Sequence, residues 1–257
     1  MGRQKSQQTS RKVAGFDNDR RRTGTLFIVG TPIGSPDDLT LRARTILGRV
    51  SIVAAETPLA TRALLDHHGI AATITGYTGD EEKIAVLLDR LAAGHEIALV
   101  SDSGMPVIYD PGRLLISAAR ASGFQVTVIP GPSALTAAAA LSGESADRLL
   151  FLGRLPRSAQ RLDRLFRELR REVGTTVMFA PSSALPRILE RMRRILPDRK
   201  LTLAVDMTKA DERVHQGDAG ALLQQVRSFS KDSEVTLVLS GARKGLEVNY
   251  CRRIMTR

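Results

Sequence analysis

Short apolar runs rich in β-branched residues alternate with longer segments in which apolar side chains recur every three or four positions. Strands bury side chains on a period of two and helices on a period near 3.6, so the alternation reads as strands joined by crossover helices. In the first half it predicts strands at Thr25–Gly30, Val50–Ala55, Glu96–Ser101 and Phe124–Pro130. Helices are predicted at Leu39–Leu47, Ala60–His67, Asp80–Ala92, Pro111–Ala121 and Ala134–Leu141. Strands separated by helices pair in parallel, so a doubly wound α/β domain with a mainly parallel sheet is expected over residues 25–143.

A small, polar stretch, Ser142–Asp147, reads as a hinge, and a second series follows it. Strands are predicted at Leu149–Gly153, Thr175–Ala180, Leu201–Asp206, Glu212–Gln216 and Val235–Ser240, with helices at Ser158–Glu172, Ser183–Ile195 and Ala219–Val226. The last strands lie closer together, with one helix among them, which implies a mixed sheet in a second α/β domain over residues 144–257. With 42% apolar residues in 257, the chain can fill both cores. No internal repeat is evident.

Charge is unevenly spread. The total is +11, yet residues 1–24 hold seven basic and two acidic side chains and residues 154–200 hold thirteen and five, so the remainder is slightly acidic. The first segment is Gln-, Ser- and Arg-rich and too poor in apolar residues to offset its ordering entropy, so a disordered basic arm is expected there. In the second, Leu162, Leu165, Phe166 and Leu169 share one helical stripe and Arg161, Arg164, Arg167 and Arg171 lie opposite. Such a face is either a solvated helix surface or a phosphate-binding one. The balance favours polyanions such as RNA, or acidic surfaces.

There is no apolar stretch near the N-terminus of the kind a secretory signal needs, and no run approaching the roughly 18 apolar residues of a membrane span. A cytosolic protein without membrane attachment is expected. The single Cys251 excludes an internal disulfide, and the four histidines lack metal-ligand spacing, so no structural metal is expected.

Four strand-to-loop junctions are rich in Gly, Pro and Ser: Gly30–Gly34, Ala55–Pro58, Ser101–Pro106 and Pro130–Ala134. Ligands of open α/β sheets bind beyond the carboxyl ends of the strands, and turns of this composition make narrow pockets lined by main chain. Neither the dinucleotide fingerprint nor the phosphate loop is present, which disfavours nicotinamide and nucleoside-triphosphate chemistry. Glu56 and Asp102 are the acidic side chains carried by these loops. Lys209 and Glu212 could reach a substrate from the second domain.

The order of L-F-I-V-G-T-P-I-G, D-D-L-T-L-R-A, A-A-E, A-L-V-S-D-S-G-M-P, D-P-G and I-P-G-P-S-A resembles the tetrapyrrole methylase superfamily. Within it, the pattern is similar to the branch that 2′-O-methylates a cytidine of small-subunit (16S) ribosomal RNA. F-L-G-R-L-P at Phe151–Pro156, M-T-K at Met207–Lys209 and E-V-T-L-V-L at Glu234–Leu239 extend the likeness, which runs from Gly24 to about Gly241.

The resemblance implies two α/β domains, usually paired as a homodimer, with S-adenosylmethionine in the cleft between them. It implies that Pro32 shapes one wall, that Ser101, Asp102, Ser103, Gly104 and Ile108 line the amino-acid and ribose side, and that Ser133 and Ala134 stand opposite. It brings Pro181 and Gly217 to the adenosine. Glu56 becomes the candidate base, and Arg161, Arg164 and Lys209 the candidate RNA contacts. The branch's A-E-D-T-R, however, reads Ala55-Glu56-Thr57-Pro58-Leu59 here, Y-E-[SA]-P-H-R reads Phe179-Ala180-Pro181-Ser182-Ser183-Ala184, and R-E-L-T-K reads Val205-Asp206-Met207-Thr208-Lys209. Acceptor-side motifs therefore depart more than cofactor-side ones. A superfamily methylase acting on a small molecule or peptide, and an inactive RNA-binding relative, stay open beside the RNA methyltransferase.

Overall fold

The structure, a computed structural model, describes residues 23–242. The basic arm expected over residues 1–24 lies outside the described residues up to residue 22, as do residues 243–257 with Cys251.

Five parallel strands form the first sheet: β1 (Thr25–Val29), β2 (Ile52–Ala55), β3 (Ile74–Gly76), β4 (Ile97–Val100) and β5 (Gln125–Ile129), in the order β3-β2-β4-β1-β5. The helices α1 (Leu41–Leu47), α2 (Pro58–His67), α3 (Glu81–Ala92) and α4 (Arg113–Ala121) cover it. Thr40 caps α1 by accepting from the Ala43 N–H, and Asp80 caps α3 by accepting from that of Lys83. Alternate side chains feed two cores: Phe27, Val53 and Ala98 pack toward α1 and α2, while Leu26, Ala54 and Ile97 pack toward α3 and α4. β3 was not expected. It has three residues and pairs only with β2, too short a run to show a period of two.

The second sheet is mixed, with β6 (Leu149–Arg154), β7 (Thr175–Pro181), β8 (Leu201–Val205), β9 (Arg213–Gly217) and β10 (Glu234–Leu239) in the order β6-β7-β10-β8-β9. Only β6 and β7 are parallel. Here α6 (Ala159–Leu169), α7 (Leu185–Ile195) and α8 (Ala219–Gln225) bury one face against Met178, Leu203 and Leu237. The other face, with Val177, Ala204 and Val238, meets α5 (Ala134–Ser142) through Ala138 and Ala139. Small side chains on α5 let it approach closely. A helix at the end of the first run of elements thus packs on the second sheet and couples the two halves. The two α/β domains, one sheet parallel and one mixed, are the expected class.

A second coupling links loops. The Ser35 N–H donates to Thr208 Oγ1 at 2.9 Å, and a side chain at Gly34 would overlap the Met207 carbonyl. The β1 loop and the β8 loop are therefore joined across the domain boundary, and a cleft opens beside the joint.

Candidate active site

The first wall of the cleft is a knot of turns from the C-terminal ends of β1, β4 and β5. The Thr31 N–H donates to the Gly104 carbonyl at 2.9 Å, and its hydroxyl donates to the carbonyls of Ser101 and Gly104. The Gly104 N–H returns a bond to the Pro32 carbonyl at 3.3 Å. Gly30 and Gly131 pack backbone on backbone: a Cβ on Gly30 would sit 2.8 Å from Gly131 Cα and 2.6 Å from Met105 Sδ. Only glycine permits that approach, which is what the repeated glycines of these loops are for.

Against this wall lies a cleft of about 360 Å³. The N-terminal half contributes Ile33, Ser103, Gly104, Ile108, Tyr109 and Asp110, and α5 contributes Ser133, Ala134 and Leu135 at its start. From the second domain come Arg154, Phe179, Pro181, Met207 and the segment 231–236. The volume lies within the range of small-molecule sites, and the lining mixes apolar side chains with a few polar groups.

Carboxylates gather at one side. Asp110 lines the cleft, and burial, with the charges of Glu56 and Asp102 beside it, raises its carboxyl to about 6. Glu56 is also raised, first by burial and then by Asp102. Asp102 itself accepts from the Thr57 hydroxyl at 2.6 Å and from the Thr57 N–H at 3.1 Å. Thr57 is the N-cap of α2, and its own side chain makes no capping bond. Asp102 thus fixes the start of α2 and holds the Glu56 loop in place.

The family model described as tetrapyrrole (corrin/porphyrin) methylases matches residues 25–223. The chain belongs to the tetrapyrrole methylase family. Among similar proteins, a ribosomal RNA small subunit methyltransferase I of Thermotoga maritima is 36% identical, over 85% of this chain and 99% of that one. One of Xylella fastidiosa is 39% identical over 85% and 82%, and one of Escherichia coli O157:H7 is 34% identical over 85% and 78%. Among solved structures, a diphthine synthase matches with a TM-score of 0.67 at 17% identity, over 90% of this chain and 95% of that one. A cobalt precorrin-4 methyltransferase matches with 0.63 at 18%, over 84% and 94%. Both share the fold.

In this methylase the expected site residues fall into three groups. Ser103, Gly104, Ile108, Ser133, Ala134 and Pro181 come together as cleft lining. Pro32 and Ser101 stand behind it, since both are buried and their polar groups are used within the knot, Ser101 Oγ donating to the Gly104 carbonyl at 2.9 Å. Asp102 and Glu56 are beside the cleft and outside its lining.

Gly217 is not brought to the cleft. It ends β9 and pairs with Leu201 at the start of β8, whereas the cleft lies beyond the other end of β8, at Met207. Arg161 and Arg164 are exposed on α6, on the face of the second sheet turned away from the cleft. Lys209 stands on the rim, paired with Glu234 at 3.0 Å and Asp206 at 3.4 Å. Tyr109, Asp110, Arg154 and Phe179 were not anticipated as site residues. Asp110 and Arg154 belong to motifs that carried the resemblance, D-P-G and F-L-G-R-L-P, but spacing alone gives no sign that they face a common space.

Proposed function

We propose that this methylase transfers a methyl group from S-adenosylmethionine to a ribose 2′-hydroxyl of a cytidine in small-subunit (16S) ribosomal RNA. The observation that carries the reading is a cleft walled by main chain on one side and opening beside Asp110, in a chain whose relatives are named for small-subunit RNA methylation.

The lining fits the donor. Ser103 and Gly104 offer close main chain, Ile33, Ile108 and Met207 offer apolar surface, and Pro181 stands opposite. α5 starts on the cleft without a side-chain cap, so its first N–H groups are free of helical partners and suit the carboxylate of an amino-acid moiety. When bound, S-adenosylmethionine supplies an electrophilic methyl on a sulfonium, which departs as a neutral thioether.

The residues have two tasks. The first is to hold the acceptor oxygen in line with the methyl carbon, and the rigid knot of turns serves it, because positioning is a large part of the barrier to such a displacement. The second is to take the hydroxyl proton. We assign that to Asp110, whose raised carboxyl is ionised at neutral pH yet more basic than an ordinary aspartate. Glu56, the base expected from the sequence, acts through Asp110 by adding the negative charge that keeps it basic.

Arg161, Arg164 and Lys209 are assigned to phosphates away from the reacting nucleotide, where guanidinium and ammonium groups hold RNA without reading it. The chain is taken to work as a cytosolic homodimer. Leu114 on α4 and Val128 on the edge strand β5 are 44% and 50% exposed, apolar surface that a second copy would cover. No helix among the described residues is long and apolar enough to cross a membrane.

Mass spectrometry of small-subunit RNA nucleosides, from a strain lacking the gene and from its parent, tests the reading. One 2′-O-methylcytidine should vanish with the gene and return with the wild-type chain but not with Asp110→Asn. Identical RNA in both strains would turn the reading toward a small-molecule or peptide acceptor.

A further inference from the structure

Among the described residues, the non-glycine residues in the left-handed region are Val107, Tyr109, Asp206 and Thr208. All four lie in two loops that border the cleft, one after β4 and one after β8. Such backbone is costly for a residue with a side chain, persists only where the surroundings enforce it, and concentrates at functional sites. Tyr109, with φ 72°, is the one aromatic among them.

Its ring is not placed there for burial, because 57% of the residue is exposed. The second domain nevertheless makes room for it. β6 has a register shift between Phe151 and Arg154, and within that irregularity Gly153 turns left-handed, with φ 61°. A Cβ at Gly153 would lie 2.9 Å from Tyr109 Cδ2, so this glycine is shaped to the ring. Phe179 of β7 meets Tyr109 edge-on, with centroids 6.5 Å apart, and Phe151 backs Phe179 at 5.1 Å. The Arg154 guanidinium stands over the ring, 5.6 Å from its centroid. A strained loop of one domain thus holds an exposed aromatic ring against a bulge and a cation of the other, immediately before Asp110.

We propose that Tyr109, backed by Phe179 and flanked by Arg154, is the stacking platform for the nucleobase of the acceptor nucleotide. The inference rests on the RNA reading above and adds the residue that selects an unstacked base. Proteins read single-stranded RNA by stacking splayed bases on aromatic rings and guanidinium planes, and an enzyme acting on one nucleotide needs it lifted from its neighbours. Asp110, the next residue in the chain, lines the same cleft. Arg154 also brings a cation to the cleft beside the ring, a charge that favours a phosphate backbone.

The test uses the full-length chain, tritiated S-adenosylmethionine and small ribosomal subunits, with Tyr109→Ala, Tyr109→Phe and Arg154→Ala. Thermal melting of each variant reports folding. Tyr109→Ala should lower kcat/KM for RNA by roughly 5- to 150-fold, the span of one base–aromatic stack. The calorimetric Kd for S-adenosylmethionine should stay within about twofold, Tyr109→Phe should restore most of the loss because it keeps the ring, and Arg154→Ala should cost less than Tyr109→Ala.

A Tyr109→Ala chain that loses cofactor affinity in proportion to its rate overturns the proposal, because the ring would then serve the cofactor's adenine. Full activity of Tyr109→Ala on an RNA that the wild type methylates overturns the platform alone. A wild-type chain that binds S-adenosylmethionine but methylates no small-subunit RNA overturns the RNA reading and the platform together.

Discussion

The N-terminal wall of the cleft is backed by main chain packed on main chain, whereas the C-terminal wall is backed by a sheet. On the first, Gly30 meets Gly131 and Thr31 meets Gly104, which ties the turns after β1, β4 and β5 to one another. On the second, Arg154, Phe179 and Glu234 line the cleft from a sheet whose own core lies behind them, with Lys231 in the turn before β10. Main-chain walls suit a ligand that does not change, and side-chain walls can be re-cut for different acceptors. The proposed function sets the donor against the knot of turns and the acceptor beside Tyr109, Arg154 and Phe179, where the two walls meet.

Substitution at Asp110, on the seam between the walls, should have the largest effect. Asp110→Asn removes the proposed proton acceptor and should lower kcat by about 10²- to 10⁴-fold in steady-state assays, while leaving S-adenosylmethionine binding intact. The same change should stabilise the fold at pH 7.5. A carboxyl raised to about 6 by burial and by Glu56 and Asp102 is more easily ionised in the unfolded chain, so its ionisation costs stability as pH climbs from the ordinary value through 6. Melting curves of Asp110→Asn should therefore lie above wild type at pH 7.5 and converge with it near pH 4. For the wild type, kcat/KM should rise with pH up to about 6 and then level off, because the free enzyme's base must be ionised. A profile flat from pH 5 to 8 would remove Asp110 from the chemistry.

A smaller effect sharpens the contrast between the walls. In Gly131→Ala the new Cβ would lie 2.8 Å from the Gly30 backbone, so a strand end must shift. Overpacking of this kind costs about 1–3 kcal/mol, read by denaturant unfolding, and should weaken S-adenosylmethionine binding measured by calorimetry. Equal cofactor affinity in Gly131→Ala would show that the main-chain wall is not the donor's surface.

The smallest effect belongs outside both walls. Arg161→Ala combined with Arg164→Ala should leave turnover at low salt nearly unchanged and reduce the log–log salt slope of RNA binding by about 1.4, for two lost phosphate contacts on a single strand. An unchanged slope would make the α6 face an ordinary solvated helix surface.

The strand and helix pattern made both sheets legible in the sequence, because each central strand carries enough apolar residues to declare its period. β4 is buried at all four positions and was found, whereas three-residue β3 was not. Glycine and proline in the loops exposed the main-chain wall, since the requirement they meet is local. The place where the two walls meet is harder to read. Tyr109, Arg154 and Phe179 are brought together by the docking of the two domains, a relation between distant segments that no local spacing encodes. Gly217 lies away from the cleft for a different reason: its pairing with Leu201 sets it at the far end of β8, and pairing direction is not written in the strand itself.

The most direct test of the cleft as a ribose methylation site is the position of the transferred label. Purified full-length chain would be incubated with small ribosomal subunits and tritiated S-adenosylmethionine, and the RNA then hydrolysed in alkali, which cleaves only beside a free 2′-hydroxyl. The expected result is label in one alkali-resistant dinucleotide that begins with cytidine, absent with Asp110→Asn. Label released with mononucleotides, or no label in RNA from a chain that binds the donor, would contradict it.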